Sequence, residues 1–450
     1  MRGSEFEKRV AQRDHLSAVD VLGTFDFSTA VIYLKSLVAA DIDRARTALN
    51  GFRPAWNDGK PNLMTGQQFT TLAKSQSLVV HEYTHFVDTT STLWGLRHLL
   101  LMSEAYGSIN LDEGNYYKAR EFSDHARSIR LPNYYTVLYK AHDDQPWQSK
   151  ITIGRKFETK GKISNWPILF SQFLNSDEQV MVRSPVSTVS ILEASAMAQE
   201  IMIVSRLLQL TDPEYRMVED RELHRKTMQF LYAKNLTEYS VCVHVLANKL
   251  GCKDALVAFT ICSRLTRLAL NFPGVIFDKL AENCPVEKVL DIPIQHEFSQ
   301  AIRDGLRCRD LGTIYYLLCN ALPANVLEGE KHVSPAVAMA LKVLGTSEDE
   351  LAVAAQAEAE FLRKSLDETK IENIKTLAHA GHANFETIGL QSGELDFREL
   401  NLPPALLGDD TIANIFAGDK NSLSAFDVEG CFFELDDGMS WVTRFSEACL

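Results

Sequence analysis

The chain has 450 residues, 46% hydrophobic and 23% charged, the composition of a globular protein able to bury a large core. Its formal net charge of -13 argues against a general nucleic-acid or anionic-membrane binder, since both need a basic surface. No uninterrupted apolar run approaches the roughly 18 residues needed to span a bilayer, and the opening MRGSEFEKRVAQRDH lacks the apolar core of a secretory signal. The expectation is a cytoplasmic protein that binds neither membrane nor nucleic acid.

In chain order, AVDVLGTFDF (18–27) reads as a strand. TAVIYLKSLVAADIDRARTALNGF then carries apolar residues at three- and four-residue intervals, which predicts an amphipathic helix. GFRPAWNDGKPN (51–62) has the Gly, Pro and Asn-Asp-Gly of a loop. A helix is predicted from Gln67 to Val87, and DTTST (88–92) supplies hydroxyls suited to capping. A second helix covers LWGLRHLLLMSEAYG (93–107), ending at Gly107.

Residues 110–150 are polar and tyrosine-rich, with NYY at 115–117 and again at 133–135. KITIGRKFETKGKIS (150–164) alternates as a strand pair does, and EQVMVRSP (178–185) is a further strand candidate. Residues 186–210 form a strongly apolar helix. From about 215 the pattern is helical, with a break at Gly251, and the last sixty residues contain loops plus two strand-like pieces, CFFEL and WVTRF. The fold class expected is α+β, predominantly helical, organised as residues 1–212, a helical domain 213–390 and a mixed C-terminal segment 391–450. None of the eight cysteines precedes Cys242 and no C-x-x-C pair occurs, so reduced core thiols are the plain expectation.

The chemistry concentrates in LVVHEYTHFVD (78–88), where His81, Glu82 and His85 stand in the order H-E-x-x-H. Residues four apart share one helix face, so both imidazoles can meet a single ion. Glu82, about 100° round the helix from His81, can instead reach a water on that ion. Burying these groups among Leu78, Val79, Val80, Phe86 and Val87 without partners would cost on the order of several kcal/mol. A metal or a hydrogen-bond network would remove that cost.

The stretch HEYTHFVD resembles the active-site helix of the zincin metallopeptidases. The metzincin continuation is absent, since Asp88 stands where that branch has glycine, and the sequence is more similar to the gluzincin branch. That resemblance implies a zincin-like catalytic domain over 1–212, a Zn2+ cofactor, Glu82 as the catalytic base, and a glutamate on a later helix as third metal ligand. Two glutamates are candidates. Glu104, separated from His85 by residues 86–103, has a spacing that resembles the aminopeptidase type. Glu193 is the lone acid in STVSILEASAMA, and an ionised carboxylate there needs a cation or strong donors. Glu193 is preferred, with His81 and His85, as the metal set.

Glu200 lies near the same face as Glu193 and reads either as support for the site or, more simply, as a solvated helix end. Asp88 reads either as a hydrogen-bond partner of a ligand imidazole or as part of the helix cap. Tyr116, Tyr117, Tyr134, Tyr135, Arg183 and His224 are each able to stabilise an oxyanion, and spacing does not choose among them. His379 and His382 flank Gly381, which suggests a helix end rather than a second metal site; His98 reads as a packed or surface histidine. The expected function is a zinc-dependent peptidase, an endopeptidase, acting on a protein or peptide. The alternative is a non-catalytic helical interaction protein whose zincin-like domain is structural or degenerate.

Overall fold

The computed structural model describes residues 5–12, 22–51, 56–57, 60–61, 63–158, 161–294, 296–390, 392–416 and 421–449. Its strands, in chain order, are β1 (Thr24–Asp26), β2 (Val31–Leu34), β3 (Trp56–Asn57), β4 (Lys60–Pro61), β5 (Val137–Leu138), β6 (Gln148–Phe157), β7 (Ile163–Leu174), β8 (Val180–Pro185), β9 (Ala405–Leu407) and β10 (Ile412–Ala413). Helices make up most of the remainder, so the architecture is α+β and predominantly helical.

One sheet has the order β1-β2-β9-β10, and its central pair is parallel, with Tyr33 opposite Leu406. A second, β5-β8-β7-β6, is antiparallel throughout and centres on the long β6–β7 hairpin. This hairpin matches the alternation of residues 150–164, and β8 matches 178–185. The short β3–β4 pair falls inside the segment expected to be a loop.

Two expectations are corrected. Residues 29–52 do not form one helix: Val31–Leu34 is a buried strand and only Ala39–Gly51 is helical. The β-branched and aromatic Val31, Ile32 and Tyr33 take the strand because β1 and β9 offer hydrogen-bonding edges on either side. Conversely, CFFEL and WVTRF are parts of one helix, Val428–Ala448, capped by Asp427. Its buried Cys431, Phe432, Leu435 and Val442 recur at helical intervals across both pieces, which a window of five residues hides.

Two helices position the site. The histidine helix, Gly66–Thr90, starts with a capping box in which Thr65 and Gln68 bond each other's backbone N–H. The apolar helix expected at 186–210 is Thr188–Gln209, started by a similar box between Ser187 and Ser190, and it is here the glutamate helix. They pack directly on each other, with Ala194, Ser195 and Ala196 fully buried. One continuous apolar core runs from Phe25 and Ile32 through Phe259 and Leu318 to Leu435 and Val442, and so draws on all three expected segments.

Among the described residues no single helix is long and apolar enough to cross a membrane. The apolar pair Ala255–Leu270 and Gly274–Asn283 is bent by 99° and contributes Leu265, Leu268 and Phe277 to the core.

Candidate metal centre

The helical spacing does what the sequence requires of it. His81 and His85 lie one turn apart and their Nε2 atoms approach to 3.2 Å. Across the helix interface Glu193 Oε2 stands 3.5 Å from each of these nitrogens. The three ligand atoms all lie within 4.8 Å of one another, the one such group of His, Cys, Asp or Glu found among the described residues. All three residues are buried, His81 being the most exposed at 8%. The group can hold a metal ion.

The donor set fits a cation on two counts. Two imidazoles and one carboxylate converging from two rigid helices are the ligand types a zinc-like ion takes. In addition, His85 Nδ1 and Glu193 Oε2 are buried polar atoms without a hydrogen-bond partner. An uncompensated carboxylate oxygen in such a place is costly, and a cation between it and the two rings would remove the cost. The protonation pattern says the same. Burial opposes charge on all three groups. Even so, the nearby carboxylates of Glu193 and Glu200 hold His81 well above its ordinary range, and the charge of Glu193 raises His85. Burial raises Glu193, but the two imidazoles outweigh it and hold the carboxyl well below the usual range. The cluster is thus built around positive charge, which bound protons or a metal can supply.

Glu82 is 3% exposed and lies on the same helix. A methyl group on Gly23 would sit 3.1 Å from Glu82 Oε1, so the backbone leading into β1 lies against this carboxylate. The third-ligand alternatives separate cleanly. Glu104, on the helix Leu93–Gly107, pairs with Lys118 at 3.4 Å and is outside the cluster. Glu193 is inside it.

Glu200 departs from its simpler reading as a solvated helix end. Its Oε2 is 3.2 Å from His81 Nδ1, and that hydrogen bond leaves His81 Nε2 directed to the cluster. Asp88 departs in the opposite sense. It is fully buried and pairs with Arg267 at 2.5 Å, close in distance though not aligned as a hydrogen bond, and it does not bond an imidazole. Arg267 is one of two arginines in the otherwise largely apolar CSRLTRLAL, and a charge in that setting carries the same buried-charge signal that flags Glu193. Thr92 caps the next helix, accepting from Gly95 N–H, while Ser91 ends the histidine helix.

None of the oxyanion candidates makes a hydrogen bond or ion pair with the cluster among the described residues. Tyr116 packs edge-on against Trp441, Tyr117 is exposed, and His224 lies on the helix Pro213–Leu231. Tyr134, Tyr135 and Arg183 gather in a separate pocket. His379 and His382 sit within the helix Glu372–Ile388, not at its end; His379 pairs with Asp367. Gly381 marks a contact instead, since a Cβ there would lie 2.0 Å from Thr90 O of the histidine helix. His98 is a packed core residue bonded to Phe27 O and to His125. Of the eight cysteines, none is in a disulfide and five are buried.

Beside the centre, the histidine helix, the glutamate helix and Pro213–Leu231 enclose a cavity of about 620 Å3. Its lining combines the apolar Phe69, Met197, Val204 and Phe230 with charged side chains, Glu200, Glu222 and Lys226 among them. Comparison with known families, curated proteins and solved structures finds no match to this chain.

Proposed function

We propose that the protein is a zinc-dependent peptidase of the zincin type, gluzincin-like in its ligand set. The single observation that carries this reading is the convergence of His81, His85 and Glu193 on one point, with Glu82 between the two histidines in sequence. His81, His85 and Glu193 would hold Zn2+. When bound, that ion supplies a water whose pKa is lowered to about 7 and a Lewis acid for the attacked carbonyl.

The other roles belong to the chain. Glu82 takes the proton from the attacking water and returns it to the departing amine as the peptide C–N bond breaks. Its burial against Gly23 excludes bulk water from that exchange. Glu200 fixes the orientation of the His81 ring by accepting from Nδ1–H. The cavity beside Glu200 is wide and apolar enough to take a hydrophobic side chain of a peptide substrate.

A second reading, a closed structural metal site in a non-catalytic interaction protein, is favoured by the low exposure of all four residues, 8% at most. Two measurements separate the readings. Metal analysis should find one zinc per chain, lost in His81→Ala. A peptide library should then be cleaved by the native protein and not by Glu82→Gln, which keeps its zinc. Retained zinc with no cleavage by the native chain selects the structural reading. A metal-free native protein removes both.

A further inference from the structure

Arg183 stands on β8 with its guanidinium carbon 3.5 Å above the centre of the Phe170 ring on β7. Phe170 and Arg183 lie on one face of the sheet, Phe170 being opposite Thr152 on β6. Gly154, two residues along β6 on that same face, makes room for the stack. A Cβ there would lie 2.5 Å from the Phe170 ring and 2.9 Å from Arg183 Nη2. Only a residue without a side chain lets the cation lie flat at this position.

The guanidinium is otherwise unspent. Arginine carries five N–H donors, and among the described residues Arg183 makes neither an ion pair nor a hydrogen bond. The other arginine at the pocket, Arg155, reaches only the Asn165 carbonyl, at 3.3 Å. Among the described residues Glu297 is the one carboxylate lining it, so that lining carries a net positive charge in a chain of net charge -13. Burial pulls the Arg183 pKa below its ordinary value, the sign of a cation partly stripped of water and not compensated.

The surrounding wall is aromatic. Tyr134, Tyr135 and Phe157 form a contiguous group, with Tyr134 4.5 Å from Tyr135 and 6.4 Å from Phe157 between ring centres, and Phe298 joins them. Tyr134, Phe157 and Ile163 are exposed, an apolar rim of the kind that marks a binding surface. The enclosed volume is about 790 Å3, within the range of small-molecule sites. No residue of this pocket belongs to the metal centre or to the cavity beside it.

We propose that this pocket binds an anion carried on an apolar, planar body, such as an aromatic carboxylate or phosphate, with the anion on the open edge of Arg183 and the body between Tyr134, Phe157 and Phe298. A carboxylate or phosphate takes two parallel in-plane N–H bonds at the guanidinium edge while its face stays on the Phe170 ring. The aromatic body replaces water on rings that are now exposed. The site is independent of the metal-centre reading.

Calorimetric titration of the full chain with 2-naphthoate, phenyl phosphate and the uncharged 2-naphthalenemethanol tests it. At least one anion should bind, at least tenfold more tightly than the alcohol. Arg183→Gln and Gly154→Val should each weaken that binding at least tenfold without changing metal content. The ranking of the two anions assigns a carboxylate or a phosphate. Absence of binding by both anions, equal binding of the alcohol, or unchanged affinity in folded Arg183→Gln would overturn the proposal. Should either variant lose its circular-dichroism spectrum, the exposed Tyr134→Ala serves instead: a loss of about fivefold or more supports the site, and unchanged affinity sinks it.

Discussion

A carboxylate buried three residues beyond His85 invites assignment to the candidate metal centre, yet Asp88 belongs to Arg267. Both side chains are at most 1% exposed, so each charge depends on the other for compensation. Burial drives the Asp88 carboxyl up towards protonation, and Arg267 works against it. Removing one partner leaves an unpaired buried charge, so Asp88→Ala should cost about 3–5 kcal/mol in chemical denaturation. The double variant Asp88→Leu with Arg267→Met should recover much of that loss. If the single substitution were nearly neutral, the pair would not be holding the helices together.

His244 offers a second test at this scale. It is buried beside Trp147, Phe173 and Tyr232, and its Nε2–H donates to Leu231 O. Burial lowers its pKa to about 4, the carbonyl offsetting only part of the effect. The unfolded chain, with a histidine pKa of about 6.5, therefore takes up the proton first as pH falls. The stability due to the neutral ring is complete above about pH 6.5 and is lost as pH drops from there to about 4, a change of about 3 kcal/mol. His244→Gln, which keeps a donor for Leu231 O, should show about 3 kcal/mol less loss between pH 7.5 and 4 in urea titrations. An unchanged pH dependence would place the acid sensitivity elsewhere.

Among elements, the histidine helix is the hub, because the glutamate helix packs along it and Glu372–Ile388 crosses it closely at Gly381. A methyl at Gly381 would meet the Thr90 carbonyl at 2.0 Å, a backbone atom unable to swing aside. Gly381→Ala should therefore push the helices apart and destabilise the fold by about 1–3 kcal/mol or more, read as a lower denaturant midpoint at unchanged m-value. A neutral effect would mean that this crossing is not tight. The element errors of the sequence reading have the same root. Val31–Leu34 is a strand through its pairing with Leu406 and Leu407, residues far along the chain, and the helix Val428–Ala448 shows its face only over its whole length.

At the scale of the molecule, the C-terminal sixty residues are structural. β9 lies between β2 and β10, and Phe432 packs on Phe6. Truncation after residue 390 strips β9 from β2 and opens the core at Leu406, Leu435 and Val442. The truncated chain should lose cooperative thermal unfolding by circular dichroism, whereas a separable C-terminal segment would leave the melt intact. What the sequence determined by itself is local: the helix carrying His81 and His85 one turn apart, the β6–β7 hairpin, the helix of Glu193, and the cost that makes a lone buried acid conspicuous. These follow from periodicity and the penalty on buried charge, which neighbours along the chain are enough to express. Only the tertiary structure decided that Glu193 and not Glu104 meets the two rings, that Glu200 rather than Asp88 steadies His81, and that Arg183 joins Tyr134 and Tyr135 in a pocket of its own. Each of those pairings joins residues distant in sequence, and packing between helices and strands, not spacing, sets their distances.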